Sequence, residues 1–342
     1  MDQHATSDYS GALHEHLVDS PALQGNPLGD PSRRPLVVYT PPGYDDDPAG
    51  RYPSVYVIQG YTGQISMWWN YTPFKEPYPL VVDRWVATGD IAPCIVVYVD
   101  AWTRYGGSQY VDSIGTGNYH TYLCDDIVPF VDTHYRTLVN AANRGIQGKS
   151  SGGFGAMITP MLRPDLFGGL ATHAGDTLYE LCYGNEFGKA TRLLRNWDGS
   201  PKRWWDDFTS RPAFTNPADM TLLGLYGVAA CFSPDDQGQP VLPFDTTSGR
   251  ILDDVWARWL EWDPVRMVDR YADALRGLRA IWVDAGRSDE YFLDLGAQAF
   301  VDELRKHGID DVHFELFEGT HGGIDYRYPR SLAFLAEHLQ PS

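Results

Sequence analysis

One serine of this 342-residue chain lies in a glycine-rich turn that suits a nucleophile. The run GKSSGG at 148–153 contains the pattern G-x-S-x-G, follows the short apolar segment 144–147 and precedes the helix-like segment 154–162. A strand, a tight turn and a helix in this order place a serine on a strained turn with its hydroxyl exposed. Side chains two residues before and two residues after this serine would clash with each other, so there is a steric reason for glycine at both positions. We therefore predict Ser150 as a nucleophile.

The same letters also resemble the end of a phosphate-binding loop, G-x-x-x-x-G-K-[ST]. That pattern requires glycine at position 143, where this chain has Asn143. The segment also lacks a long glycine-rich arc that could surround phosphate groups. Nucleotide binding is therefore disfavoured.

A serine hydroxyl needs a base, and the base needs an acid that orients it. In one known arrangement of such a triad on a mostly parallel sheet, the groups follow in chain order serine, acid, histidine, each in a loop after a strand. Of the ten histidines, His321 alone lies in the loop just after the last predicted strand, in the segment FEGTHGG. The others lie upstream of Ser150, precede any acid-bearing strand, fall inside a predicted strand or lie near helix ends (His4, His14, His16, His120, His134, His173, His307, His313, His338). We predict His321 as the base.

The acid is expected after a strand between Ser150 and His321. The segment IWVDAGRSDEYF offers Asp284 at the strand end, then Asp289 and Glu290 in the loop. Asp284 is interpreted as a structural carboxylate that closes the following turn, and Asp289 as the residue that turns back to the base. Asp176, after the preceding strand, stays open as the alternative acid.

The oxyanion formed during acyl transfer requires two backbone amides. One is predicted to be the amide of Ser151, at the start of the helix after the nucleophile. The other is predicted to be the amide of Tyr61, in the segment QGYTG after the strand at 54–59. The alternative is that QGYTG is only a glycine-rich turn.

These groups need a sheet whose strands end at a common edge. Short apolar runs alternate with helical patterns, which predicts an α/β fold with a mostly parallel sheet covered by helices on both faces. The predicted strands are 36–40, 54–59, 94–100, 144–147, 169–173, 280–284 and 312–317. The predicted helices are 80–87, 122–135, 154–162, 264–275, 297–307 (with a start near Leu295) and 329–339.

The alternation stops between about 177 and 255, a stretch rich in tryptophan and phenylalanine without a strand pattern. It is too long for a simple connection, so it is predicted to be an insertion over the carboxyl edge of the sheet. Its aromatic side chains could wall an acyl pocket, form a small core of their own, or both. The predicted organisation is a single domain over 1–342, with a core at 12–176 and 256–342 and a lid-like insertion at 177–255.

Composition limits the partners. The net charge of −18 disfavours nucleic acid and anionic membrane surfaces. The four cysteines are widely spaced without a metal-binding pattern, and Cys94 and Cys124 are predicted to be buried thiols. No run of apolar residues is long enough to span a membrane, and the opening segment lacks the features of a secretory signal. A cytoplasmic location is the resulting expectation.

Taken together, the motifs resemble the "putative esterase" family of α/β-hydrolases, which includes esterase D (S-formylglutathione hydrolase), feruloyl esterases, enterochelin esterases and mycolyltransferases. The resemblance extends from about Val18 to Leu339 and rests on TPPGYDDDPAGRYPSVYVIQGYTG, DDIVPFVDTHYRT before GIQGKSSGGFGA, EWDPVRMVDRYADALRGLRAIWVDAGRSDEYF and FEGTHGG. It implies an α/β-hydrolase fold and the same site residues: Ser150, Asp289 and His321, with oxyanion amides at Tyr61 and Ser151.

The chain departs from the family pattern in places. The family often has His-Gly where this chain has Gln59-Gly60, and often Met where it has Ser151. Neither side chain is required, because backbone amides form the oxyanion hole. The long insertion puts substrate preference, rather than mechanism, in doubt. The segment 103–110 resembles a bacterial subgroup of the family and is either a pocket wall or a structural loop.

The sequence thus predicts a serine carboxylic-ester hydrolase that acts on a small-molecule ester through an acyl-enzyme, with no cofactor and no metal. An acyltransferase with the same triad and a non-catalytic protein on the same fold are the alternatives. The natural substrate is left open, as is whether the chain forms a homo-oligomer.

Overall fold

The computed structural model describes residues 9–71 and 73–341. The predictions that fall on residues 1–8, among them the missing secretory signal and the exclusion of His4, lie outside the described residues. The same holds for both ends of the predicted range 1–342.

A single central sheet of eight strands organises the described part of the chain, in the order β1-β2-β4-β3-β7-β8-β9-β10. Its strands are β1 Ala12–Asp19, β2 Arg33–Thr40, β3 Ser54–Ile58, β4 Ile95–Val99, β7 Arg144–Lys149, β8 Gly169–His173, β9 Ala280–Gly286 and β10 His313–Phe317. The run from β4 to β10 is parallel, and β1 and β2 pair antiparallel at one edge. Every predicted strand is present, so the predicted mostly parallel α/β sheet is confirmed.

The edge strand β1 was not predicted. Its sequence ALHEHLVD alternates apolar and polar residues, and most of its side chains remain partly exposed. It therefore lacks the continuous apolar run that marks the central strands. The short ribbon of β5 (Asp112–Ser113) and β6 (Gly117–Asn118) was also not predicted.

Helices cover both faces of the sheet. The α-helices of the described residues, in chain order, are α1 Tyr78–Thr88, α2 Tyr119–Thr121, α3 Val128–His134, α4 Ser151–Leu162, α5 Tyr179–Cys182, α6 Phe187–Leu194, α7 Pro201–Ser210, α8 Asp219–Phe232, α9 Asp253–Leu260, α10 Pro264–Arg276, α11 Leu293–Lys306 and α12 Tyr328–His338. Within the described residues, no helix combines the length and apolar character that crossing a membrane requires.

The helix predicted over 122–135 is not a continuous α-helix. Residues Tyr122–Ile127 form a π-helical turn between α2 and α3. Pro129 in the first turn of α3 has no amide hydrogen, so the regular hydrogen-bond ladder cannot run through it. The other predicted helices are confirmed, with ends that differ by a few residues.

Successive strand residues point to opposite sides of the sheet, so the side chains of each strand enter both layers of packing. Both layers are buried in this structure. Tyr56 and Val97 belong to the larger apolar cluster, whereas their neighbours Val57 and Val96 belong to the cluster that contains α1 and α12 residues. All four are fully buried. The six parallel strands are thereby held rigidly, and their carboxyl ends meet at one edge, where loops can bring side chains together.

The segment 177–255 contains α5 to α8 and has an aromatic cluster of its own. Trp204 is fully buried and donates its indole hydrogen to Asp219 (2.9 Å). Trp205 stacks on Tyr226 and meets the ring of Tyr105 edge-on at 4.9 Å. The aromatic residues of this segment therefore pack on one another and on the loop at 103–110.

Asp284 does not close a turn, as the sequence suggested, because β9 continues to Gly286 and buries it within the strand. Its carboxylate contacts His173 Nδ1 (2.6 Å), Trp282 Nε1 (2.9 Å) and Arg327 Nε (2.9 Å). Burial by itself would raise its pKa, but the charge and hydrogen bond of His173, with Trp282 and Arg327, hold the pKa below its usual value. The carboxylate is structural, and it joins β8, β9 and the start of α12.

We expect Asp284→Asn to lower the free energy of unfolding by about 3 kcal/mol, because it leaves the buried Arg327 guanidinium without its full counter-charge. Urea unfolding followed by circular dichroism measures the change. Asp310→Asn, at an exposed position, is the matched control. Equal stability of the two variants would contradict the structural role.

Candidate active site

Ser150 occupies the sharp turn between β7 and α4. Lys149 pairs with His173 at the ends of β7 and β8, so the chain leaves both strands side by side. The backbone at Ser150 has φ 58° and ψ −127°, a conformation that residues other than glycine rarely adopt. Its amide donates to the carbonyls of His173 (3.0 Å) and Ala174 (3.1 Å), and its carbonyl accepts from the amide of Phe154 (2.8 Å). The neighbouring strand and α4 therefore hold the strained turn.

Two glycines make this turn sterically possible. A Cβ atom on Gly148 would lie 2.3 Å from the carbonyl oxygen of Gly152. A Cβ atom on Gly152 would lie 2.7 Å from the carbonyl oxygens of Ile58 and Gln59. The steric reason predicted for both glycines is confirmed, and the second contact shows how closely the turn lies against the end of β3.

His321 and Asp289 meet in the loops that follow β10 and β9. The distance from His321 Nδ1 to Asp289 Oδ2 is 2.8 Å, and the other oxygen of Asp289 accepts from the amide of Tyr291 (2.9 Å). The carboxyl group of Asp289 is buried, whereas His321 remains partly exposed. Because an ionised carboxylate can only accept, this contact suits an imidazole that carries a hydrogen on Nδ1.

Glu290 supports the histidine in a way that the sequence did not reveal. Its carboxylate accepts a hydrogen bond from the backbone amide of His321 (2.8 Å). The ring of Tyr291 meets the imidazole edge-on, with 4.9 Å between the ring centres. Three consecutive residues after β9 thus contact the imidazole or backbone of His321.

The loop after β3 lies directly against Ser150. A Cβ atom on Gly60 would be 2.9 Å from the carbonyl oxygen of Lys149 and 3.3 Å from Cβ of Ser150. Among the residues that the structure describes, the amides of Tyr61 and Ser151 take no part in a backbone hydrogen bond outside regular helices and strands, whereas the amide of Thr62 donates to Gly106. An oxyanion hole requires two such amides beside the attacking group, so both remain available for the predicted role.

The side chain of Tyr61 holds this loop from the other side. Its hydroxyl oxygen lies 2.7 Å from the carbonyl oxygen of Tyr105 and 2.6 Å from that of Leu223. The single hydroxyl hydrogen is shared between these two acceptors. Burial raises the pKa of this phenol well above its usual value. The β3 loop is therefore attached to α8.

Asp176, predicted as the alternative acid, lies beside Ser150 and not beside His321. The Ser150 hydroxyl donates to Asp176 Oδ1 at 3.3 Å, and within the described residues it makes no hydrogen bond to His321. Catalytic hydrogen bonds of free enzymes are often loose, and rotation of one side chain redirects a serine hydroxyl. The carboxylate that contacts His321 Nδ1 is that of Asp289.

Ser150, Asp176 and His321 line one cavity of about 560 Å³. The segment 177–255 supplies an apolar wall from α8 (Met220, Leu225, Val228) and the polar residues Glu186, Lys189 and Thr221. Burial lowers the pKa of Lys149. The nearby carboxylates of Asp325, Asp289 and Glu290 partly oppose this lowering. Cys182, also on the wall, is a buried free thiol like Cys94, Cys124 and Cys231.

Comparison with known families decides what this geometry belongs to. Residues 31–322 match the family described as "Putative esterase". The chain belongs to this family. Its match to a curated relative, an endo-1,4-beta-xylanase/feruloyl esterase of Xylanibacter ruminicola, is 28% identical over 143 residues. That match covers 41% of this chain and about a fifth (19%) of the relative's length.

Solved esterases share the fold of this family member over nearly its whole length. A ferulic acid esterase gives a TM-score of 0.61 at 19% identity, covering 97% of this chain and 100% of its own. The fluorophosphonate-binding serine hydrolase F of Staphylococcus aureus gives a TM-score of 0.60 at 13% identity, and the match covers 95% of this chain and 98% of that structure. An S-formylglutathione hydrolase from Agrobacterium tumefaciens gives 0.56 at 15%, covering 98% of each chain. The fold is the α/β-hydrolase fold that the sequence resemblance implied.

We expect Gly60→Ala to reduce ester hydrolysis by about 10- to 100-fold, because the added methyl group meets the backbone of Lys149 and must displace the loop from Ser150. Hydrolysis of p-nitrophenyl acetate measures the loss. Gly224→Ala is the matched control: Gly224 also lines the cavity, but a Cβ atom there meets nothing within 4 Å. Equal activity of both variants would show that the approach of this loop is unimportant.

Proposed function

We propose that this protein is a serine esterase that hydrolyses carboxylic esters through an acyl-enzyme, with Ser150 as nucleophile, His321 as base and Asp289 as the orienting acid. The supporting observation is the His321–Asp289 pair at 2.8 Å, in the same cavity as a serine held at positive φ, in a member of an esterase family.

In the first half of the reaction, Ser150 Oγ attacks the ester carbonyl carbon while His321 Nε2 takes the hydroxyl proton. The carbonyl oxygen becomes an oxyanion, which the amides of Tyr61 and Ser151 bind. As the intermediate collapses, the bond to the alcohol oxygen breaks and His321 returns the proton to that oxygen. The alcohol leaves, and the acyl group remains on Ser150 as an ester.

In the second half, water takes the place of the alcohol. His321 accepts a proton from water as its oxygen attacks the acyl carbon, and the same two amides bind the new oxyanion. Collapse releases the carboxylic acid and returns the proton to Ser150 Oγ. Throughout, Asp289 keeps the hydrogen on Nδ1 and stabilises the imidazolium.

The insertion at 177–255 is proposed to act as a lid that limits the size of the acyl or alcohol group. The supporting contacts are the α8 side chains on the cavity wall and the hydrogen bond from Tyr61 to Leu223. Rates with p-nitrophenyl esters of increasing chain length, S-formylglutathione and methyl ferulate would define that limit. Adding acceptor alcohols to the same assay would reveal any acyl transfer.

We expect Ser150→Ala to lower kcat for a short-chain p-nitrophenyl ester by at least about 10³-fold, because the variant lacks the hydroxyl that attacks the ester and carries the acyl group. A fluorophosphonate probe should label the wild type but not this variant. Ser210→Ala, at an exposed serine at the end of α7, should keep both activity and labelling. Full turnover by Ser150→Ala would refute the proposal, and an unlabelled wild type would favour a non-catalytic binding protein.

We expect Asp289→Asn to lower kcat by roughly 10³- to 10⁴-fold with little change in KM, because the amide favours the wrong imidazole tautomer. Steady-state kinetics with the same ester measure both constants, and Asp310→Asn serves as the surface control. If Asp289→Asn behaved like that control, Asp289 would not be the acid.

A further inference from the structure

Asp176 is a buried carboxylate without a counter-ion at the centre of the site. The residue is 5% exposed and lines the cavity. Among the described residues, no lysine, arginine or histidine lies within ion-pair distance of it. The partly buried Lys149, which also lines the cavity, interacts instead with carboxylates near the base. An unpaired buried charge is costly and suggests a partner that arrives with the substrate.

The two oxygens of this carboxylate are not equally satisfied. Oδ2 accepts hydrogen bonds from Tyr183 (2.7 Å), Ser151 (3.0 Å) and Gln109 (3.3 Å). Among the residues that the structure describes, the only donor to Oδ1 is the hydroxyl of Ser150, at the long distance of 3.3 Å. A carboxylate oxygen has room for two donors, so Oδ1 retains a free acceptor position.

The proposed reaction removes the one donor that Oδ1 has. When Ser150 carries the acyl group, its Oγ is an ester oxygen without a hydrogen. Oδ1 is then a buried carboxylate oxygen with no donor, which is unfavourable. Since the alcohol has left at this stage, the acyl group is the only part of the substrate still present to supply one.

The position of Oδ1 defines which part of the acyl group can reach it. The acyl carbonyl carbon is bonded to Oγ, and the α-carbon is bonded to that carbon. A substituent on the α-carbon therefore lies in the shell around Oγ that Oδ1 also occupies.

We propose that Asp176 is a specificity residue that accepts a hydrogen bond from an ammonium or hydroxyl group on the α-carbon of the acyl group. This inference rests on the proposed function and gives it a substrate class: esters of α-amino and α-hydroxy acids. The ammonium is the better partner, because it supplies the missing counter-charge as well as the donor. The net charge of −18 also attracts cationic substrates.

The test uses benzyl propionate, benzyl lactate and benzyl alaninate, which differ only in a hydrogen, a hydroxyl or an ammonium group on the α-carbon. Each kcat/KM is divided by the rate constant for hydroxide-catalysed hydrolysis of the same ester, which removes intrinsic reactivity. The assay pH is chosen so that the amino group is protonated. The wild type should then prefer alaninate, followed by lactate, over propionate.

Asp176→Asn should lower the alaninate-to-propionate ratio about tenfold or more, because a neutral amide cannot balance the ammonium charge. The lactate ratio should fall less, since the amide oxygen still accepts a hydrogen bond. Glu186→Gln is the matched control, because Glu186 is another carboxylate on the cavity wall but already pairs with Lys189. It should leave the alaninate ratio within about twofold.

An equal loss for all three esters in Asp176→Asn would overturn the inference and leave Asp176 a positioning role only. A wild type without preference would overturn it too, and that measurement needs no variant to fold. Hydrolysis of propionate without preference defeats this inference alone. Failure to hydrolyse any of the three, with no probe label on Ser150, defeats the proposed function as well.

Discussion

The left-handed backbone at Ser150 is the constraint on which the site depends. A serine at φ 58° would relax if the chain were free to do so. It is held because Gly148 and Gly152 let the backbone fold on itself, and because the amide of Ser150 donates to the β8 end. The β3 loop closes on the same turn. Any change that moved β3, β7 or β8 relative to one another would therefore also move the nucleophile.

Three buried aspartates near this edge illustrate how surroundings decide what a carboxylate does. Asp284 is enclosed by Arg327, Trp282 and His173 and has no access to the cavity. Asp289 is directed at His321 Nδ1 and is suited to orient an imidazole. Asp176 has only neutral donors and faces the nucleophile, which leaves its charge to interact with a ligand. The residue type is the same in each case, and the partners differ.

Much of the fold and of the candidate site could be predicted from sequence because the signals are local. The central strands are continuous apolar runs, and burial on both faces produces that pattern. Gly148, Ser150 and Gly152 are close in sequence, so their steric relation is visible in the letters. The strand β1 was not predicted, because an edge strand needs no continuous apolar run. The π-helical turn at 122–127 escaped because a helical pattern does not reveal where its hydrogen-bond ladder shifts.

The sequence by itself determined the class of fold, the strained serine turn and the order in which the chemical groups follow one another. Only the tertiary structure decided which carboxylate contacts which partner. That choice depends on the strand order, which places β8 beside β7 and β10 beside β9, and on the path of the loop from 287 to 292. Asp176 therefore lies against Ser150, and Asp289 against His321. Contacts between residues that are distant in the chain arise from packing of the whole sheet, for which no short segment carries the information.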